Sequence, residues 1–306
     1  MRIAVITPIS HLDGVKDLVE TKGKVFYLEN GDKNDIRELL LNENIDTIFC
    51  NPNKQNYMID EELLKDSSVK LINTCSTGLS HIDLKYIKKS KIQLYSLTKD
   101  FNLINELPST SELAFGLMID LLRKISESQE HVKKFNWDYT KFMGRQIKDL
   151  NIGVIGFGRL GKLMYKYCEA FEANTSVYDP YIKGYDTIPL DKFISSCDVI
   201  SLHVHLNEQT KNLINNQSLN KCKSSLIIIN TSRGGLVDEN EIIKKIKLNE
   251  IGGYGSDVLV DENNDITNSK LIKEMKINKN IIITPHLGGM TIEGQTRAYM
   301  FAINKL

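Results

Sequence analysis

Three segments in the last third of the chain carry side chains suited to moving a hydride and a proton at one carbon. In SSLIIINTSRGGLVDENEI a buried strand ends at Asn230, and Arg233 lies just past it. In GGYGSDVLVDEN another short strand ends near Asp257, with Glu262 five residues later. In NIIITPHLGG a strand ends at Thr284-Pro285-His286, with glycines beyond. Ligands of doubly wound sheets sit outside the carboxyl ends of the strands, so Arg233, Glu262 and His286 are delivered to one edge. A guanidinium grips a carboxylate and polarises the carbonyl beside it. Histidine exchanges a proton near neutrality, and a neighbouring carboxylate favours its charged form. The set suits reduction of a 2-keto acid at C2, with His286 as acid/base.

Such chemistry needs a hydride carrier, and NIGVIGFGRLGKLMYKYCEAF has the turn to hold one. Gly156, Gly158 and Gly161 fall on GxGxxG between an expected strand over 152–155 and an expected helix over 159–171, with Arg159 and Leu160 in the turn. Gly156 allows the tight turn, Gly158 lets the backbone approach a pyrophosphate, and Gly161 lets the helix pack on the strand. Free N–H groups at the helix start then meet the phosphates. Asp179, in TSVYDP, follows Gly161 by 18 positions. Its carboxylate can accept both ribose hydroxyls and repels a 2′-phosphate, and no arginine follows in Pro180-Tyr181, so NAD is expected rather than NADP.

The elements that position these groups alternate along the chain. Apolar runs at 3–7, 24–28, 47–50, 70–73 and 92–95 are separated by helix-period stretches such as 35–41 and 60–65. That order makes a parallel sheet with helices on its faces. A long helix is expected over 109–130, opening at Pro108-Ser109-Thr110-Ser111-Glu112, followed by a polar stretch with the only tryptophan, Trp137. A second alternating block begins at Asn151. With 306 residues, the expectation is an α/β protein of two doubly wound parallel-sheet domains.

Composition narrows the partners. Lys plus Arg and Asp plus Glu balance at 39 each, which gives no field for nucleic acid or an anionic membrane. The opening MRIAVITPI is too short to span a bilayer and lacks a basic n-region and a cleavage site, so it reads as a first strand. Cys50, Cys75, Cys168, Cys197 and Cys222 are dispersed, without CxxC or metal spacing, which suggests reduced thiols and a cytoplasmic protein without a metal.

These segments resemble the D-isomer-specific 2-hydroxyacid dehydrogenases, strongly from about residue 150 to 297 and more faintly over the first 130. GFGRLG matches the family's cofactor turn, NTSRGGLVDE its arginine segment, SDVLVDEN its acidic segment and TPHLGG its histidine segment. The resemblance implies Arg233 as the substrate-binding arginine, Glu262 as the partner of His286, and Asp257 near the nicotinamide carboxamide. Thr231 and His203 are taken with them as cofactor contacts. NTCSTGLSHIDL resembles the family's substrate loop, where N–H groups around Ser76, Thr77 and Gly78 would bind a carboxylate, Gly78 being near the left-handed region. The family also implies a flavodoxin-like substrate domain of residues 1–100 plus 288–306, split by a Rossmann NAD-binding domain of residues 101–287. A homodimer is implied, with the 109–130 helix and the Trp137 segment as interface candidates. The chain ends soon after its return segment, 291–306, so no carboxy-terminal regulatory domain is expected.

Four positions depart from the family pattern: His205, Asn207, Asn263 and Met290. Lys54 and Lys99 are candidates for a distal substrate group; glycerate, 3-phosphoglycerate and similar acids stay open as substrates. A second function class also stays open, an NAD(H)-responsive binding or regulatory protein on the same fold, although the Arg, Glu and His set favours an enzyme.

Overall fold

A computed structural model describes residues 1–52, 57–182, 188–262 and 265–306. Lys54 and Asn263 lie outside the described residues. The chain divides into two compact units, one of Met1–Leu107 with Met290–Leu306, the other Pro108–Gly289. The breaks fall at Leu107 and Gly289 rather than at residues 100 and 287.

In the first unit the strands are β1 (Arg2–Val5), β2 (Lys24–Tyr27), β3 (Thr47–Cys50), β4 (Leu71–Thr74) and β5 (Gln93–Ser96). They pair in parallel in the order β2-β1-β3-β4-β5. Successive residues of β1 serve opposite faces. Ile3 and Val5 join one core with Phe49, and Ala4 joins another with Ile48 and Ile72. Burial on both faces explains why the interior strands β1 and β3 read as continuous apolar runs rather than alternating ones. The helix Ile292–Ile303 brings Tyr299, Ala302 and Ile303 to the Ile3 and Val5 face. Its Tyr299 hydroxyl lies 3.2 Å from Thr7 Oγ1 and accepts from Asn51 Nδ2 at 3.0 Å, so the last helix is built into the first sheet.

The second unit holds β6 (Asn151–Ile155), β7 (Asn174–Tyr178), β8 (Val199–Leu202), β9 (Ile227–Asn230), β10 (Gly253–Ser256) and β11 (Ile281–Ile283). All are parallel, in the order β11-β10-β9-β8-β6-β7. Both sheets therefore have an interior first strand, a second strand on one side and the later strands on the other. This places the crevice at the carboxyl ends between the first and third strands. The fold is the expected α/β pair of doubly wound sheets.

One expected element breaks. The 109–130 helix is two, Ser109–Arg123 and Ile125–Lys133, because Lys124 turns left-handed at φ 53°. The Asp120 carboxylate accepts from Ser126 N and so secures the start of the second helix. The Ser-Thr-Ser opening does not cap its helix by a side chain. Instead Thr110 Oγ1 donates to Gly288 O at 3.0 Å and Ser111 Oγ to Leu160 O at 2.9 Å. Among the described residues no helix is long and apolar enough to cross a membrane.

The return helix yields a stability test. Tyr299→Ala should cost about 3–5 kcal/mol, as for other large buried aromatics truncated to alanine. Urea denaturation followed by far-UV circular dichroism measures it, and a loss below about 1 kcal/mol would mean that the helix packs only loosely on the sheet.

Candidate active site

The glycine turn after β6 takes the form its residues dictate. Gly156 sits at φ 91°, where a side chain would be strained, and its N–H donates to Tyr178 O at 2.8 Å. A Cβ on Gly161 would lie 1.9 Å from the Gly156 carbonyl oxygen, so only glycine lets the helix Arg159–Ala170 approach. A Cβ on Gly158 would meet nothing within 4 Å, so the turn is open to approach at this position. That helix has no side-chain cap, and its first N–H groups suit an anion. Burial pushes the Arg159 guanidinium below its ordinary pKa. Asp179 is oriented by two backbone donors, Phe157 N at 2.9 Å to Oδ2 and Tyr181 N at 3.0 Å to Oδ1. Each oxygen keeps a lone pair for a ribose hydroxyl.

Beyond β8 and β9 stand two buried polar atoms without partners, His203 Nδ1 and Thr231 Oγ1. The other His203 nitrogen, Nε2, lies 2.9 Å from Ser201 Oγ, and burial pushes the imidazole pKa down to about 4, so it is neutral. Orphaned buried groups are rare, and these two fit the edge where a dinucleotide's amide and hydroxyl groups would bind. The departure at Asn207 keeps the turn intact. Its Oδ1 accepts from Gln209 N at 2.8 Å and Thr210 N at 3.1 Å, while Thr210 Oγ1 donates to His205 O at 2.6 Å.

The reactive set converges within the second unit. His286 Nδ1 lies 3.0 Å from Glu262 Oε1. Glu262 Oε2 accepts from Leu259 N at 3.3 Å. The hydrogen bond to Glu262 outweighs burial and raises the His286 pKa. Burial alone would raise that of Glu262, but the bond from His286, its charge and the Leu259 N–H bring it below the ordinary value. The charge of Arg233 acts on both groups, which puts the guanidinium in their neighbourhood. Arg233 itself is exposed, and its Nη1 donates to Ser232 O at 2.6 Å.

His286 adopts φ 57°, a left-handed backbone unusual for a residue with a side chain. Asp257, 1% exposed, holds that turn. Its Oδ1 accepts from Thr284 Oγ1 and from Leu287 N at 2.7 Å, and its Oδ2 from Gly288 N at 2.8 Å. Burial raises the Asp257 pKa against these hydrogen bonds. Thr110, Thr284 and Asp257 thus brace the histidine turn, a role with no signature along the chain, since a helix-start threonine reads as a cap.

Ser76, Thr77 and Gly78 belong to the first unit, after β4. Ser76 Oγ donates to Gly78 O at 2.7 Å and lies 3.1 Å from Thr74 Oγ1. The left-handed conformation expected at Gly78 is absent: among the described residues the positive-φ glycines are Gly14 and Gly156. The serine hydroxyl, turned onto the Gly78 carbonyl, closes the turn without a glycine-only conformation. Met290, also in that unit, receives the Gln295 Nε2 hydrogen bond on its sulfur at 3.2 Å. Lys99 is exposed at the end of a short 3-10 turn.

The family model for the D-isomer specific 2-hydroxyacid dehydrogenase NAD binding domain matches residues 115–288. A hydroxypyruvate reductase from Thermotoga maritima is 31% identical over 244 residues, covering 78% of this chain and 77% of its own. A D-3-phosphoglycerate dehydrogenase from Archaeoglobus fulgidus is 30% identical over 79% of this chain, but the match spans only 46% of that protein. Among solved structures, D-lactate dehydrogenase from Aquifex aeolicus complexed with NAD and lactic acid superposes with a TM-score of 0.78. It is 25% identical, with 100% of this chain and 94% of that one covered. The chain belongs to the D-isomer specific 2-hydroxyacid dehydrogenase family and carries its NAD binding domain, which makes it an NAD-dependent oxidoreductase.

Proposed function

We propose that the protein reduces a small 2-keto acid to the D-2-hydroxy acid, with Arg233 holding the carboxylate and His286 giving the proton. One geometry carries this: the His286–Glu262 pair at 3.0 Å, within the field of Arg233. Glu262 takes Nδ1 of the imidazolium, which leaves Nε2 to deliver its proton to the C2 oxygen. The raised His286 pKa keeps that proton in place near neutrality. Arg233 favours the negative charge that develops on the same oxygen.

The residues fit a dinucleotide. Gly156, Gly158, Arg159, Leu160, Gly161 and Asp179 would hold its phosphates and adenosine ribose, and His203, Thr231 and Asp257 its nicotinamide half. When bound, the reduced nicotinamide supplies the hydride. Ser76, Thr77 and Gly78 would offer backbone N–H groups to the substrate carboxylate. Candidate substrates are hydroxypyruvate, for which the Thermotoga relative is named, and the keto forms of glycerate-type acids, phosphorylated or not. A homodimer is proposed on the exposed Phe135, Trp137, Tyr139 and Met143, an apolar set out of place in water. Free cysteines support a cytoplasmic location.

NADH consumption against a panel of 2-keto acids tests the reaction; tight NADH binding without turnover on any acid would favour the regulatory alternative. His286→Ala should lower kcat by roughly 10²–10⁴-fold, the range for positioned acid/base groups, and a fully active variant refutes the role. The pH profile gives a second test. Reduction needs the imidazolium, so kcat/KM should hold at lower pH and fall as pH rises through the raised His286 pKa. Glu262→Gln removes the group that raises it, so the falling limb should move to lower pH; an unmoved limb speaks against the pair. For the cofactor, Asp179→Ala should raise KM for NADH by about tenfold or more, in line with a lost charge-assisted pair of hydrogen bonds, and leave KM for NADPH unchanged or lower. Equal losses with both cofactors would remove Asp179 from the ribose site.

A further inference from the structure

Arg233 and Glu262 follow different strands, β9 and β10, yet their roles require a fixed separation. Beneath them lie three polar side chains, Asn230, Tyr254 and Ser256, each 0% exposed. Asn230 holds the Arg233 turn from both sides: its Oδ1 accepts from Ser232 N at 3.1 Å and its Nδ2 donates to Arg233 O at 3.0 Å. The second Nδ2 hydrogen reaches the Tyr254 hydroxyl oxygen at 3.4 Å. Tyr254 donates onward to Ser256 Oγ at 3.2 Å, and Ser256 donates to Val258 O at 2.7 Å.

Asn230 donates one Nδ2 proton to the Arg233 turn and the other toward Tyr254, whose single proton goes on to Ser256. The Ser256 proton has two acceptors in reach, Asn230 O at 3.2 Å and Val258 O at 2.7 Å, and the shorter contact leads to the start of the Glu262 loop. Such chains polarise one another and lose more than a single bond when a link is removed. The two segments also meet above the chain. A Cβ on Gly234 would lie 2.0 Å from the Leu259 carbonyl carbon, and Leu259 N is the donor to Glu262. Val260 N donates to Glu239 Oε1 at 2.8 Å, tying the loop to the helix that follows Arg233. A phenol flanked by Gly253 and Gly255 in a buried strand must place its hydroxyl on a partner, and here the partners are the supports of the two charged residues.

We propose that Tyr254 is a positioning residue whose hydroxyl couples the Arg233 turn to the Glu262 loop, so that the two are set as one unit. What the unit does for the substrate rests on the function proposed above; the coupling does not.

Tyr254→Phe keeps the ring and removes the link. Amide hydrogen exchange should speed up in 231–236 and 258–262 together, by about three- to tenfold, the size of one buried hydrogen bond. Exchange in β3 should stay at the wild-type rate. KM for a reduced 2-keto acid should rise about three- to tenfold for the same reason, with the NADH dissociation constant, read by fluorescence, unchanged. Ser256→Ala breaks the next link, and the double variant should be little worse than either single one. Should Tyr254→Phe fail to fold, Ser256→Ala reads the same chain from its other end. Unchanged exchange in both segments, a change in only one, or additive effects of the two substitutions overturn the coupling. A wild-type protein that reduces no 2-keto acid overturns the proposed function instead, and the exchange rates still decide the coupling.

Discussion

The site depends on a backbone turn that would not form by itself. His286 at φ 57° occupies a region that costs a residue with a side chain on the order of 1 kcal/mol or more. Three donors converging on Asp257, and the Thr110 bond to Gly288 O, make the strained turn the satisfied one. If that turn relaxed to an extended form, the imidazole would leave Glu262. The raised pKa and the orientation of Nε2 would go with it. Strain at a reactive residue is thus maintained by buried hydrogen bonds whose loss would cost more than the strain releases.

Close backbone approach is the second constraint, and glycine is its instrument, most tightly at two places. Gly161 lets a helix start lie against the Gly156 carbonyl, and Gly234 lets the arginine turn lie against Leu259. The first shapes the turn proposed to take the dinucleotide phosphates, and the second brings two charged side chains that follow neighbouring strands within each other's field. A methyl group at either position would push whole segments apart rather than displace one side chain. The chemistry of Arg233 and Glu262 is therefore fixed by a residue with no chemistry of its own.

Much of this was legible along the chain, and the reasons differ by residue. Strand positions followed from apolar runs buried on both faces, as at Thr47–Cys50, where burial alone decides the pattern. The glycine turn was legible because each glycine answers a separate steric demand. The break at Lys124 was hidden, since the apolar spacing continues past it and only the Asp120 to Ser126 bond marks the new start. Ser109 to Ser111 read as a helix cap, because a short polar side chain has the same sequence signature whether it binds its own helix or a distant carbonyl. Gly78 misled in the opposite sense. Glycine permits the left-handed region without requiring it, and the Ser76 hydroxyl closes that turn another way. The histidine turn was the least legible of all, because φ at His286 is set by partners from Asp257 and not by its neighbours.

Charge around His286 is balanced rather than maximised. Glu262 raises the imidazole pKa while Arg233 lowers it, and Arg233 also helps to keep Glu262 ionised. A proton donor held too tightly would be reluctant to give its proton to an alkoxide, and one held too loosely would arrive unprotonated. Placing the guanidinium near the pair limits the first fault, and the 3.0 Å contact prevents the second. Under the proposed function, the same cation would then be available to the negative charge that grows on the substrate oxygen. A lysine could supply a similar charge, but not the planar fork that would hold a carboxylate in register with the proposed proton donor. What the two carboxyl ends of β9 and β10 must therefore preserve is a distance, which is why the polar groups beneath them are buried and fully paired.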